Sequence, residues 1–251
     1  SSNVVDYYLG NYFWNNLGDY QTYFNRISPD SPFYLFGVLR NAEKTKEIDK
    51  LQDALRNHPL FVPAVNKLVG YHIQHGNKRA ALRVINRALN DENLNESGRA
   101  FFTKGRAQIY FAFGDLESAQ EDLRKASEIL VMDGEILSLQ AKIWALQNRE
   151  LDNAYDYAMM LVQRNPTDIL AWDTLGVVVA QREGVDAALE VLEHVSEVSA
   201  TCSALFEHLG DMYANSGNFD KAKDAYMRAI DLSDDGLTVV PLIERKIRKI
   251  K

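Results

Sequence analysis

The sequence predicts an all-α solenoid of antiparallel helix pairs. Three observations carry this: a pattern with a period of about 34 residues that can be slid along most of the chain, apolar positions at i, i+3, i+4 and i+7 within each copy, and no proline-, glycine- or serine-rich linker that would divide the 251 residues. The clearest copy is Ser203–Gly236. Its first helix is expected from about Ala204 to Asn215, with Phe206, Leu209, Gly210 and Tyr213 on one side. Ser216-Gly217 ends that helix, and a second from about Phe219 to Leu232 carries Ala222, Tyr226, Ala229 and Ile230. Gly210 and Ala222 are small because two helices joined by a short turn approach to roughly 8–10 Å only where side chains are small.

These residues resemble the signature of the tetratricopeptide repeat family, W/F-x2-L-G-x2-Y followed by A, F/Y and A, with Asp234 where the family usually has proline. The resemblance implies a right-handed superhelix whose class of function is to bind another protein. It also implies about six repeats, a degenerate helix pair before them and a capping helix after them.

In chain order, residues 1–27 read as a helix over VVDYYLGNYFWNNL, a turn at Gly18-Asp19 and a short helix over YQTYFNRI. Tyr7, Tyr8, Tyr12, Phe13, Trp14, Tyr20, Tyr23 and Phe24 are more rings than a lone helix pair can bury. They are expected to pack on the next repeat, or to be covered by a second copy or a further repeat. The repeat at 28–61 is read from its period, from Leu51, Ala54 and Leu55, and from Pro59. Its helices are expected at about Pro32–Asn41 and Glu43–Arg56. The repeat at 62–95 has Val65, Leu68, Gly76, Ala81, Ile85 and Ala88; Glu96–Arg99 then read as a lengthened connection. The repeat at 100–133 brings Ala107, Tyr110, Gly114, Ala119, Leu123 and Ala126, and Gly134 is a one-residue insertion. The repeat at 135–168 has Ala141, Ala145, Ala154, Ala158, Leu161 and Pro166. At 169–202 stand Trp172, Leu175, Gly176, Ala188, Leu192 and Val195, running directly into 203–236. In the segment 237–251, Pro241 can open a helix, and Leu242, Ile243, Ile247 and Ile250 can cover the last repeat. The basic residues Arg245, Lys246, Arg248, Lys249 and Lys251 suit a helix C-terminus, or alternatively an anionic membrane surface.

The net charge of −7 argues against nucleic acid as a partner, because phosphate binding draws on Lys and Arg, and favours a basic or amphipathic segment. Cys202 is the sole cysteine, so no intramolecular disulfide forms and no thiolate metal cluster is expected. There is no apolar run long enough for a transmembrane helix, and the opening Ser1-Ser2-Asn3 suggests a trimmed start. Neither a phosphate loop nor a G-x-S-x-G elbow occurs, so no catalytic or cofactor-binding residues are assigned and the chain reads as a non-enzymatic protein. His72 and His75 lie three apart on one helix, but no third ligand stands at a fixed offset, so no metal site is assigned.

The resemblance further implies that repeat positions 2, 5, 9 and 12 line a concave groove. Its middle is apolar, with Phe101 and Phe111 from one repeat, Ile136, Leu139, Ile143 and Leu146 from the next, and Leu170 and Val177 from the third. Lys104 and Gln108 border it towards the N-terminal side, and Asp173, Glu207 and Asp211 make its C-terminal end acidic. Two readings stay open: a groove that receives an amphipathic or extended partner segment, or curvature that buries these residues against one another. The carboxylate clamp of chaperone-binding members is absent, since Asn66, Gly70, Gly105, Ile136 and Gln140 occupy its places. The WDTLG and FEHLGDMY stretches followed by a basic tail look like the last repeats of bacterial lipoprotein-type members. That likeness implies a second role, an envelope assembly module self-associating through its N-terminal aromatics; both the bacterial envelope and the cytoplasm stay open as locations.

Overall fold

The computed structural model describes residues 2–15, 20–28, 31, 33–45 and 48–250. Two compact units divide the chain, Ser1–Leu68 and Val69–Lys251. Every regular element among the described residues is helical, and the fold is an all-α solenoid of antiparallel helix pairs.

The first unit contains α1 (Ser2–Asn15), α2 (Tyr20–Asn25), α3 (Tyr34–Thr45), α4 (Ile48–Asn57) and the opening turns of α5 (Val62–Gln74). Its core is aliphatic, with Ile27, Leu51, Ala54, Leu55, Ala64, Val65 and Leu68 buried. Beside it runs a chain of rings: Tyr7 lies 5.1 Å from Phe33, and Phe36 meets Phe61 edge-on at 4.9 Å. Tyr8 and Tyr12 remain 64% and 60% exposed. The expected Gly18-Asp19 turn and the side chains of Phe13, Trp14, Tyr20 and Phe24 lie outside what is described. One boundary differs from expectation: α3 continues through Glu43 to Thr45, and α4 begins at Ile48. The stretch Glu43-Lys44-Thr45-Lys46-Glu47 has no glycine or proline to mark a break, and polar residues propagate a helix as readily as they end one.

The second unit runs from the rest of α5 through α6 (Lys78–Leu89), α7 (Glu96–Ala112), α8 (Leu116–Ser127), α9 (Gly134–Leu146), α10 (Leu151–Arg164), α11 (Ile169–Arg182), α12 (Val185–Val198), α13 (Ser203–Asn215) and α14 (Phe219–Asp231), and closes with α15 (Val240–Lys249). Side-chain caps set many of the starts. Asp133 accepts from Glu135 N and Ile136 N at 3.0 and 3.1 Å, and Asp168 from Leu170 N at 2.9 Å; such a cap stabilises a helix by about 1 kcal/mol. Asn95 does the same for Gly98 N at 2.7 Å. That cap corrects the reading of Glu96–Arg99 as connection: these residues form the first turn of α7, because a capped amide lets the helix begin one turn early.

Alanine fills the seams. Ala119, Ala126, Ala154, Ala158, Ala188, Ala222 and Ala229 are all fully buried. A Cβ placed on Gly210 would sit 2.6 Å from the Tyr226 ring, so glycine is what allows α13 and α14 to close on that side chain. Turns within a pair use a left-handed residue, glycine at Gly217 (φ 79°) but non-glycine at Asn148 (52°) and Glu150 (49°) between α9 and α10.

Proline at its start suits α15. Ile243 is fully buried, and Ile247 and Ile250 pack on the same core cluster; Leu242 is half-buried. Lys246 does not join Arg245, Arg248 and Lys249 in solvent, being turned onto α13, and Lys251 lies outside the described residues. The two ends of this unit meet. Gln74 Nε2 donates to Ser233 Oγ at 3.0 Å and Asp234 Oδ1 at 3.2 Å. A Cβ on Gly236 (φ 72°) would come within 2.6 Å of Gly70 Cα, so the backbones touch there and only glycine fits.

Candidate functional site

The first helices of successive pairs, α7, α9, α11 and α13, pack side by side within the second unit. The thirteen residues that the resemblance assigns to a groove stand on these four helices, and the structure separates them into three kinds. Leu146 and Leu170 are 53% and 37% exposed. Phe101, Gln108, Phe111, Leu139, Glu207 and Asp211 are half-buried. Ile136, Ile143 and Val177 are buried core, and Lys104 and Asp173 are buried in ion pairs. For those five, what the side chain touches is the chain itself, so the apolar strip open to solvent is narrower than the thirteen positions suggest.

Charge on these helices ties neighbours together. Lys104 Nζ reaches Asp133 at 3.0 Å and Glu135 at 2.5 Å. Burial works against its charge, but the two carboxylates prevail and raise its pKa above the ordinary lysine value. Lys142 Nζ donates to Asp173 Oδ2 at 2.6 Å, while His208 Nδ1 sits 2.6 Å from Asp173 Oδ1. Burial alone would lift the Asp173 pKa; His208 and Lys142 instead hold it well below the usual carboxylate range. An ionised carboxylate only accepts, so the His208 Nδ1 proton faces Asp173. Next to this triad, Ser138 Oγ and Thr174 Oγ1 lie 2.7 Å apart. At the C-terminal end, Lys246 Nζ reaches Glu207 and Asp211, each at 2.8 Å, and Tyr226 Oη donates to Asp211 at 2.6 Å. The acidic end expected to receive a basic group already holds one, from α15 of the same chain.

Lys142 and His208 were not legible as partners of Asp173. One signal was available: Lys142 stands in its repeat where Gly176 and Gly210 stand in the next two. A long cation at a close-approach position needs a buried acid within reach.

Cys202 is not activated as a nucleophile. Burial foremost, with the Asp173 charge next, pushes the Cys202 thiol up to about 11. His72 is buried, its ring held below the usual histidine value first by burial and then by Arg83 and His75. No cluster of three or more His, Cys, Asp or Glu side chains suited to a metal occurs among the described residues. No described helix is long and apolar enough to cross a membrane.

Comparison with known proteins agrees with this architecture. A family model for a tetratricopeptide repeat-like domain matches residues 138–251, and one for a tetratricopeptide repeat matches residues 99–129. Among solved structures, a tetratricopeptide repeat protein from Parabacteroides merdae is similar with a TM-score of 0.68 at 13% identity, covering 98% of each chain. A chain of the APC/C hetero-tetramer Cut9-Hcn1 is similar with a TM-score of 0.59 at 14% identity, over 94% of this chain and 45% of that one. At such identities the likeness speaks for the fold alone. A search among curated proteins returns no match. The repeat signature, the stacked helix pairs and the two matching family models place the chain in the tetratricopeptide repeat family.

Proposed function

We propose that this chain is a non-enzymatic adaptor that binds a segment of another protein along the first-helix face between α7 and α11. The tetratricopeptide repeat fold is that of a protein–protein interaction scaffold, and its members are generally not enzymes. The observation that supports the reading is the exposure of Leu146 and Leu170, 53% and 37%, on first helices of a stack that also holds half-buried Phe101, Phe111 and Leu139. Apolar side chains left in water next to a ridged helical surface are anchor points for an amphipathic or extended segment. Gln108 supplies a polar group at the edge. The five buried positions support the surface from beneath and do not meet the partner.

The test is affinity capture from a lysate of the source organism with wild type beside Leu146→Glu/Leu170→Glu. Both substitutions are at open positions, so circular dichroism and thermal midpoint stay close to wild type. A protein retained by wild type and lost, by about tenfold or more, from the double variant is expected for a face of apolar anchors. The same proteins captured equally by both would remove this face from consideration.

A further inference from the structure

The second unit has another opening, away from these positions except at Ile136. Between α8 and the pair α9–α10 lies a cleft of about 530 Å³, within the range of ligand sites. It has a physical origin. Ile136 and Ile143 of α9 pack towards Ala107, Ala119, Leu123 and Ala126, whereas Leu137, Ala141 and Ala145 of the same helix belong to the cluster formed with α10–α15. The core therefore divides along α9, and α8 is left standing off from α10.

The two walls differ in chemistry. From α9–α10 come Trp144 and Tyr157, ring centroids 5.3 Å apart and inclined at 41°. Both rings are half-buried; among the described residues no cation lies over either, and neither Trp144 Nε1 nor Tyr157 Oη has a hydrogen-bond partner. Gln140 lies one turn before Trp144 on α9 and also lines the cleft, and its Nε2 is buried with no acceptor. From α8 come Glu117, Glu121 and Arg124. Arg124 is saturated by Glu121 at 3.2 Å and Glu128 at 2.9 Å, and Glu121 also holds Lys125 at 3.1 Å. Glu117 is exposed and has no partner among the described residues. The cleft thus offers aromatic faces and an unpaired carboxylate, and the one cation among its lining residues, Arg124, is already neutralised.

We propose that this cleft binds an extended segment of a partner protein that presents a lysine or arginine side chain. The stem lies along Trp144 and Tyr157, and the cationic head is drawn by the ring faces and by Glu117. Leu123, Ile136 and Leu137 form the apolar floor. The chain's charge of −7 attracts such a segment from a distance. This site does not depend on the Leu146–Leu170 face, and the two can be tested apart.

The experiment titrates the full ¹⁵N-labelled chain with three blocked tripeptides, acetyl-Ala-Lys-Ala-amide, acetyl-Ala-Arg-Ala-amide and the neutral acetyl-Ala-norleucine-Ala-amide, followed by amide and indole NMR shifts. The two cationic peptides are expected to shift the Trp144 indole and the α8 amides near Glu117, binding roughly 3- to 10-fold tighter than norleucine. Glu117→Gln, at an exposed position, should weaken the cationic peptides towards the norleucine level while leaving norleucine binding unchanged, and Leu146→Glu/Leu170→Glu should leave the binding of all three unchanged. Equal affinity for the norleucine peptide, indifference to Glu117→Gln, shifts confined to Glu207 and Asp211, or no shifts up to the solubility limit would each overturn the proposal.

Discussion

Lys104 and Lys142 occupy successive first helices, and each reaches forward to an acid near or in the next first helix, yet the two ties are physically different. Lys104 shares two carboxylates, Asp133 and Glu135, whose side chains are 24% and 58% exposed. Lys142 is held by Asp173, which is 0% exposed and also carries His208. Water can replace a partner at the first tie and cannot at the second. An ion pair open to solvent adds little to stability, whereas a buried one makes each member dependent on the others. The same residue types on successive first helices therefore serve adaptable joining in one place and a fixed alignment of α9, α11 and α13 in the other.

The strongest way to break this comparison is Asp173→Ala, which strands Lys142 and His208 without a carboxylate. A loss of about 3–5 kcal/mol in unfolding free energy is expected from chemical denaturation. Acid titration sharpens the contrast. A carboxylate whose folded pKa is depressed contributes stability that is complete above its ordinary value, near 4, and is lost as pH falls towards the depressed one. Denaturation midpoints between pH 6 and pH 2.5 should show wild type losing more than Asp173→Asn, at a slope of no more than about 1.4 kcal/mol per pH unit for this one group. The smallest effect belongs to the open tie: Asp133→Ala leaves Lys104 with Glu135 and removes a helix cap, so urea denaturation should register about 1–2 kcal/mol, chiefly from the cap.

The pair α13–α14 was legible almost to the residue, because Gly217 and the aromatic and small positions around it speak at short range. The α3–α4 break was not, since nothing between Glu43 and Glu47 favours a turn over another helical residue. The candidate groove positions came from the family resemblance, and their exposure could not be read from the repeat frame. Whether Ile143 faces solvent or α7–α8 depends on small rotations between pairs, which no single repeat encodes. The cleft at α8–α9 is likewise a property of spacing between helices, although Glu117, Glu121 and Arg124 are all individually ordinary surface residues in the sequence.

A solenoid in which each unit touches only its neighbours can lose its last turn without the first one sensing it, and fraying from the ends is its lowest-cost opening. The bond from Gln74 to Ser233 joins residues 159 positions apart, beside the backbone contact of Gly70 with Gly236. The final turn of this unit is therefore not a free end. Opening it also opens the helix at the other extremity, and closing it spans a long loop whose entropy grows only slowly with length, so the unit gains a shared fate between its two extremities that an open-ended array lacks.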